Sequence, residues 1–278
     1  MKARNSIVLL LCALFVFQSC SKKDDFDVSV EESEFVNLKA AVASLGFDTT
    51  GIFVRGDEIF VEEDIALKKS QLFKTNSRQA VILPNQIIGG YRLRSFTYFI
   101  SNTLTYHAPV EDAMREFRSI FPNSVTATRV FNESTADLVF RGYNEVNHFC
   151  GYAIWPTVPT LLTGGVVELI VGESVNINLY HWRNLSNSQR KALIAHEVGH
   201  AIGVRHTNWR GLGEGEFTAA PNGGYYQTYG AYTVPNTSNT GTNPDPSSIF
   251  NGGTCGRSWG NGFTEGDRRA VIHVSIGY

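Results

Sequence analysis

The sequence predicts an α+β protein: a mixed, twisted sheet, a helix rich in histidine, and a loop-rich C-terminal part. Three observations predict it. Several short β-type runs surround one clearly amphipathic helix; a second helix ends in the group "AHEVGHAIGVRH" (Ala195 to His206); and from there to Gly262 Gly, Asn, Thr, Pro and Tyr dominate without a helical or strand period. With 278 residues and 42% hydrophobic content, the chain can bury one substantial core, or one core plus a small module. Its 24 basic and 26 acidic residues leave a formal charge of −2. So weak a field attracts no polyanion, which argues against nucleic acid as a partner.

The first 19 residues read as an export signal, with Lys2 and Arg4 ahead of an apolar run, Ile7 to Phe17, that is too short to span a bilayer comfortably. Ser19 before Cys20 resembles a bacterial lipoprotein processing site, which makes Cys20 the lipidated N-terminus and anchors the chain to a membrane. "SKKDD" after it resembles a signal that sorts lipoproteins to the outer cell face. The expected location is the outer membrane, with display at the surface. Residues 20–35 are charged and serine-rich and read as a solvated tether. Cys12 leaves with the signal, so Cys150 and Cys255 remain as an even pair in an oxidising compartment and predict one disulfide.

Residues 36–83 form a small N-terminal module. Phe35, Leu38, Val42 and Leu45 recur at helical spacing, with Gly46 as the stop. "IFVRGDEIFVEEDIALKKSQL" reads as a hairpin about Gly56-Asp57 leading to a second short helix. The module either covers the cleft as an inhibitory segment or packs behind the sheet. "YRLRSFTYFIS" then predicts a strand, and Pro109 starts a helix whose face is Val110, Ala113, Met114, Phe117, Ile120 and Phe121, closed by Pro122. "TATRVF", "ADLVFRGY", "GYAIWP" and "VNINLY" read as strands. Ser186 or Ser188 can cap the next helix, and Thr264 the last, with Ala270, Val271 and Val274 facing inward.

On the helix "LSNSQRKALIAHEVGH", His196 and His200 are four apart and project from one face, a spacing that suits one zinc ion. A catalytic zinc needs a third protein ligand; Gly203 allows a sharp turn out of the helix, so that His206 can return to supply it. Glu197 is placed to move protons without binding the metal, as general base and then acid in hydrolysis of a carbonyl. "GRSWG" places Ser258 in a nucleophile-elbow pattern, but glycine-rich loop surrounds it where an elbow needs a strand and a helix.

His196-Glu197-x-x-His200-x-x-Gly203-x-x-His206 resembles the metzincin clan of zinc endopeptidases, and "GFDTTGI…VEEDIALKK" ahead of it looks like the M57, or HEIGH, group of bacterial metallopeptidases. The resemblance implies a zincin fold over residues 84–278, one zinc ion, and cleavage of extended polypeptides. It also implies that "GYAIWP" is the edge strand that pairs with substrate, and that a turn beneath the metal lies in "DPSSIFNGG". There Phe250 stands where the clan has methionine. A disulfide between Cys150 and Cys255 would anchor that turn. The alternative is a surface-anchored zinc protein that binds peptides with catalysis impaired, of which Phe250 would be the symptom; Glu197, which a pure binder does not need, favours the enzyme.

Overall fold

The computed structural model describes residues 32–45, 47–72, 91–157, 167–208, 245–253 and 262–276, with 212, 218–219, 225–226, 234 and 256. The chain begins with α1 (Glu32–Ser44), β1 (Phe53–Arg55), β2 (Glu58–Val61), β3 (Ile65–Lys68) and the single turn α2 (Lys69–Leu72). It continues with β4 (Tyr91–Leu93), β5 (Phe96–Ile100), α3 (Ala108–Ile120), β6 (Ala127–Arg129), β7 (Leu138–Tyr143), β8 (Gly151–Ile154), β9 (Val167–Leu169) and β10 (Ser174–Asn178). The remaining elements are α4 (Leu179–Trp182), α5 (Asn187–Ala201), the two-residue strands β11 (Thr218–Ala219) and β12 (Tyr225–Tyr226), and α6 (Glu265–Ile276). The export signal, Cys20, Cys255 and Ser258 lie outside the described residues.

Eight strands form one sheet in the order β1-β2-β3-β8-β10-β7-β5-β6. From β10 to β6 the pairings are parallel; β8 runs antiparallel to β10, and β3 parallel to β8. The architecture is the mixed α+β one the sequence predicts. α3, α5 and α6 bury their apolar side chains on one face, in a core that includes Tyr98, Phe117, Phe140, Val175, Ile194 and Phe250. α3 shows the expected face, with Val110, Ala113, Met114, Phe117 and Ile120 all buried.

Two expectations for the N-terminal module are corrected. α1 starts at Glu32, inside the expected tether, and its first turn carries Glu32 and Glu34, which favour a helix N-terminus. The hairpin at Gly56-Asp57 forms, but "IALK" is a third strand, and only one helical turn follows. The strand is stabilised by partners at both edges: β2, and β8 some 85 residues on. α1 and β1 to β3 enclose a small core of their own, which includes Leu38, Val42, Phe47, Ile59, Ile65 and Leu67. A third correction concerns β8, the "GYAIWP" strand. It lies inside the sheet between β3 and β10 rather than at an edge, because β3 occupies the edge assigned to substrate.

Candidate metal centre and active site

Ser186 caps α5 through a reciprocal box: its hydroxyl accepts from the Gln189 N–H, and the Gln189 side chain accepts from the Ser186 N–H. From Ala192 to Ala201 nearly every residue of this helix is buried, between β8, β10 and α3. His196 and His200 therefore project into protein rather than solvent, their ring centroids 4.6 Å apart. At Gly203 the backbone turns with φ of +100°, a left-handed conformation that costs glycine nothing, and Val204 N–H closes the bend on Gly199 O at 2.8 Å. His206 then returns, its ring centroid 4.8 Å from that of His200 and 5.3 Å from that of His196.

Backbone carbonyls fix the tautomers. His196 Nδ1 lies 2.8 Å from Ile249 O, and His200 Nδ1 lies 2.7 Å from Val204 O; a carbonyl only accepts, so both Nδ1 atoms carry the proton. Burial pushes the His200 pKa down to about 4 despite nearby Asp64, so this ring is neutral and its Nε2 presents a lone pair. That Nε2 is only 3.0 Å from Nε2 of His196. Two such nitrogens need a cation between them. Ligand atoms of His196, His200, His206 and Asp64 all lie within 4.8 Å of one another, more donors than one proton can bridge, and imidazole with carboxylate is a donor set that zinc takes. The residues fit the metal.

The floor is built by the turn before α6. Ser248 Oγ donates to Asp267 Oδ1 at 2.5 Å and Ile249 N–H to Asp267 Oδ2 at 3.2 Å, so α6 holds the carbonyl that orients His196. Phe250 is fully buried under α5: a Cβ added at Gly199 would sit 2.2 Å from its Cε1. Its carbonyl accepts from Thr207 N–H at 2.8 Å, which ties the turn to the segment just after His206.

Glu197 is buried, and its Oε2 has no hydrogen-bond partner among the described residues. Burial first, then repulsion from Asp64, raises its pKa well above the ordinary carboxylate value. Gly151 makes room for it, since a Cβ there would come within 2.9 Å of Glu197 Oε1. Beside the site lies a cavity of about 270 Å³, lined by Phe149, Ala192, Leu193 and Ile249 among others. Cys150, also on its wall, is not a free thiol.

Sequence reasoning missed two residues. Asp64, from the turn between β2 and β3, lies against the histidines, with Oδ2 3.2 Å from His196 Nε2, and Oδ1 3.2 Å from His200 Nε2 and 3.1 Å from His206 Nε2. Burial opposes its charge, but His206 and His200 outweigh burial and hold its pKa well below the usual range. Arg205 pairs with buried Glu62, its Nε donating to Oε2 at 2.8 Å. The only local signal was the acidic run "EED" at a hairpin end.

Buried nitrogens that require a shared cation, on a helix that also carries a buried and basic carboxylate, define a zinc metallopeptidase. Residues 173–274, from the start of β10 into α6, match the family model Peptidase M57, described as a dual-action HEIGH metallo-peptidase. No curated protein matches the chain in sequence. Among solved structures, that of myroilysin is similar at a TM-score of 0.38 and 15% identity, covering 69% of this chain and 95% of that one. High choriolytic enzyme 1, a hatching enzyme zinc-protease from Oryzias latipes (medaka fish), is similar at a TM-score of 0.32 and 19% identity, over 66% and 88%.

Proposed function

We propose that the chain is an endopeptidase that hydrolyses extended polypeptides with His196, His200 and His206 as zinc ligands and Glu197 as general base. The observation that carries this reading is the tautomer argument: carbonyls hold the Nδ1 protons of His196 and His200, so lone pairs converge on one point. Bound there, zinc supplies Lewis acidity that polarises a scissile carbonyl and acidifies water. The protein's own part is proton transfer. Glu197 lies one residue from the first ligand in a pocket that raises its basicity, so it takes a proton from the attacking water and passes it to the leaving amine. Gly151 leaves that carboxylate space beside β8.

The export readings belong to the same proposal. Cys20 is the lipidated N-terminus, and the anchor holds the enzyme at the outer membrane, facing outward. Cys150 pairs with Cys255, a reading supported by Cys150 having a partner. Intact-mass analysis of the secreted form and non-reducing peptide maps test both.

The decisive experiment is casein cleavage by purified protein with and without a chelator, alongside Glu197→Gln and elemental analysis. We expect one zinc per chain in both forms, cleavage abolished by chelation, and a loss of at least about 100-fold in the variant, the scale of general-base catalysis. Parent-like cleavage by Glu197→Gln would end the mechanism.

A further inference from the structure

We propose that Asn178 is a positioning residue for substrate: it fixes the loop 144–150, whose Phe149 walls the cavity beside Glu197, and so favours a large apolar side chain next to the bond that is cut. The inference rests on the peptidase reading above.

The topology creates the need for such a residue. β7 and β8 lie on opposite sides of β10, the first parallel to it and the second antiparallel. The loop that joins them must therefore cross the end of β10, and it does so outside any strand ladder. Asn178 is the last residue of β10 and stands opposite Tyr143, the last of β7. Backbone groups without partners are costly where water is excluded, and at this crossing one fully buried side chain supplies the partners.

The carboxamide is used at both ends. Its Oδ1 accepts from the N–H groups of Glu145 and Tyr180, each at 3.1 Å. The two protons of Nδ2 are shared among Glu145 O at 2.9 Å, Asn147 Oδ1 at 3.0 Å and Phe149 O at 2.9 Å. The Asn178 N–H donates to Cys150 O at 2.8 Å. Asn147 completes the brace: its Oδ1 accepts from Phe149 N–H at 3.0 Å, and its carbonyl accepts from His181 Nε2 at 2.6 Å. Phe149 is thus held by its N–H and its carbonyl at once. A carboxylate at position 178 would keep the accepted bonds but set oxygen against three oxygens.

What the brace positions belongs to the site. Phe149 lines the cavity of about 270 Å³ together with Ala192, Leu193 and Ile249, a group that suits an apolar side chain. Two residues further on, Gly151 leaves room for Glu197 Oε1, so the loop delivers the cavity wall and the space for the general base in one stretch. Fixing the wall before substrate arrives removes an ordering cost from binding, and it makes the fit depend on the shape of the side chain.

The test compares zinc-loaded, full-length parent with Asn178→Asp, Asn147→Ala and Phe149→Ala. Cleavage sites in a peptide library are mapped by mass spectrometry, and kcat/KM is then measured for two quenched peptides that differ only in Leu or Ala at the most selective position beside the cut bond. Their ratio does not depend on how much enzyme is folded, so a loss of stability alone leaves it unmoved. We expect parent to favour Leu by at least about ten-fold, the scale of discrimination that a few buried methylenes give. The ratio should fall at least about three-fold in Asn178→Asp and in Phe149→Ala, with Asn147→Ala between these and parent. Amide exchange in Asn178→Asp should quicken at residues 145–149 and stay unchanged along 192–201. Asn147→Ala reads the same brace if Asn178→Asp does not fold. A parent without side-chain preference beside the bond, or folded variants that keep the parent's ratio, overturn the assignment and leave the peptidase reading standing. No cleavage by zinc-loaded parent overturns both.

Discussion

Gly199 shows how little room the metal centre leaves. A methyl group there would sit 2.2 Å from Cε1 and 2.6 Å from Cδ1 of a Phe250 ring that is itself fully buried. Gly199→Ala should therefore lose about 1–3 kcal/mol of stability, the usual cost of overpacking, as read from denaturant midpoints. Adding Phe250→Leu should restore most of that loss. At this scale the chemistry was largely legible in the sequence: the histidine spacing, Glu197 and Gly203 needed only helix geometry and one turn. Asp64 and Arg205 were not legible, because their roles come from a contact across some 140 residues that has no local pattern.

Among the elements, α6 matters beyond its packing. Asp267 accepts from Ser248 Oγ, Ile249 N–H and Thr264 N–H, and Thr264 Oγ1 accepts from Asp267 N–H in return, so one carboxylate both caps the helix and fixes the turn whose carbonyl orients His196. Asp267→Ala should cost about 2–3 kcal/mol by leaving buried donors unpaired. It should also weaken zinc binding by about ten-fold, measured by competition with a chelating dye, because outer partners of metal-bound histidines tune affinity on that scale. Thr264 was legible as a cap, and α3 as a helix, because local rules govern both. β3 was not, since half of what makes it a strand is the distant β8. α5 reads differently again: it is buried on nearly all sides, so no apolar stripe marks it, and its motif revealed it instead.

For the whole molecule, a zinc ion held at this group would join parts that the chain supplies from far apart: α5, the bend after it, and the turn at Asp64. Removing it should leave the imidazoles crowded together with nothing between them. Chelation is expected to lower the thermal midpoint reversibly, with zinc restoring it; at ligand a thousand-fold above its Kd the linkage is about 4 kcal/mol, or on the order of 10 °C for a chain of this size. Unchanged midpoints in calorimetry would mean the ion does not bridge these elements. The α+β class was legible because periodicity and order of segments decide it. Strand order was not, since an edge occupied by the N-terminal module leaves no mark in β8.

Phe250 brings one further property. A thioether beneath three imidazoles is open to conversion into a bulkier, polar sulfoxide, whereas a phenyl ring resists the same reagents. Apart from Met1, the chain's one methionine is Met114, on α3 in the main core. Dilute hydrogen peroxide should therefore leave the ion in place and casein cleavage undiminished, with tandem mass spectrometry finding no added oxygen at residues 248–251.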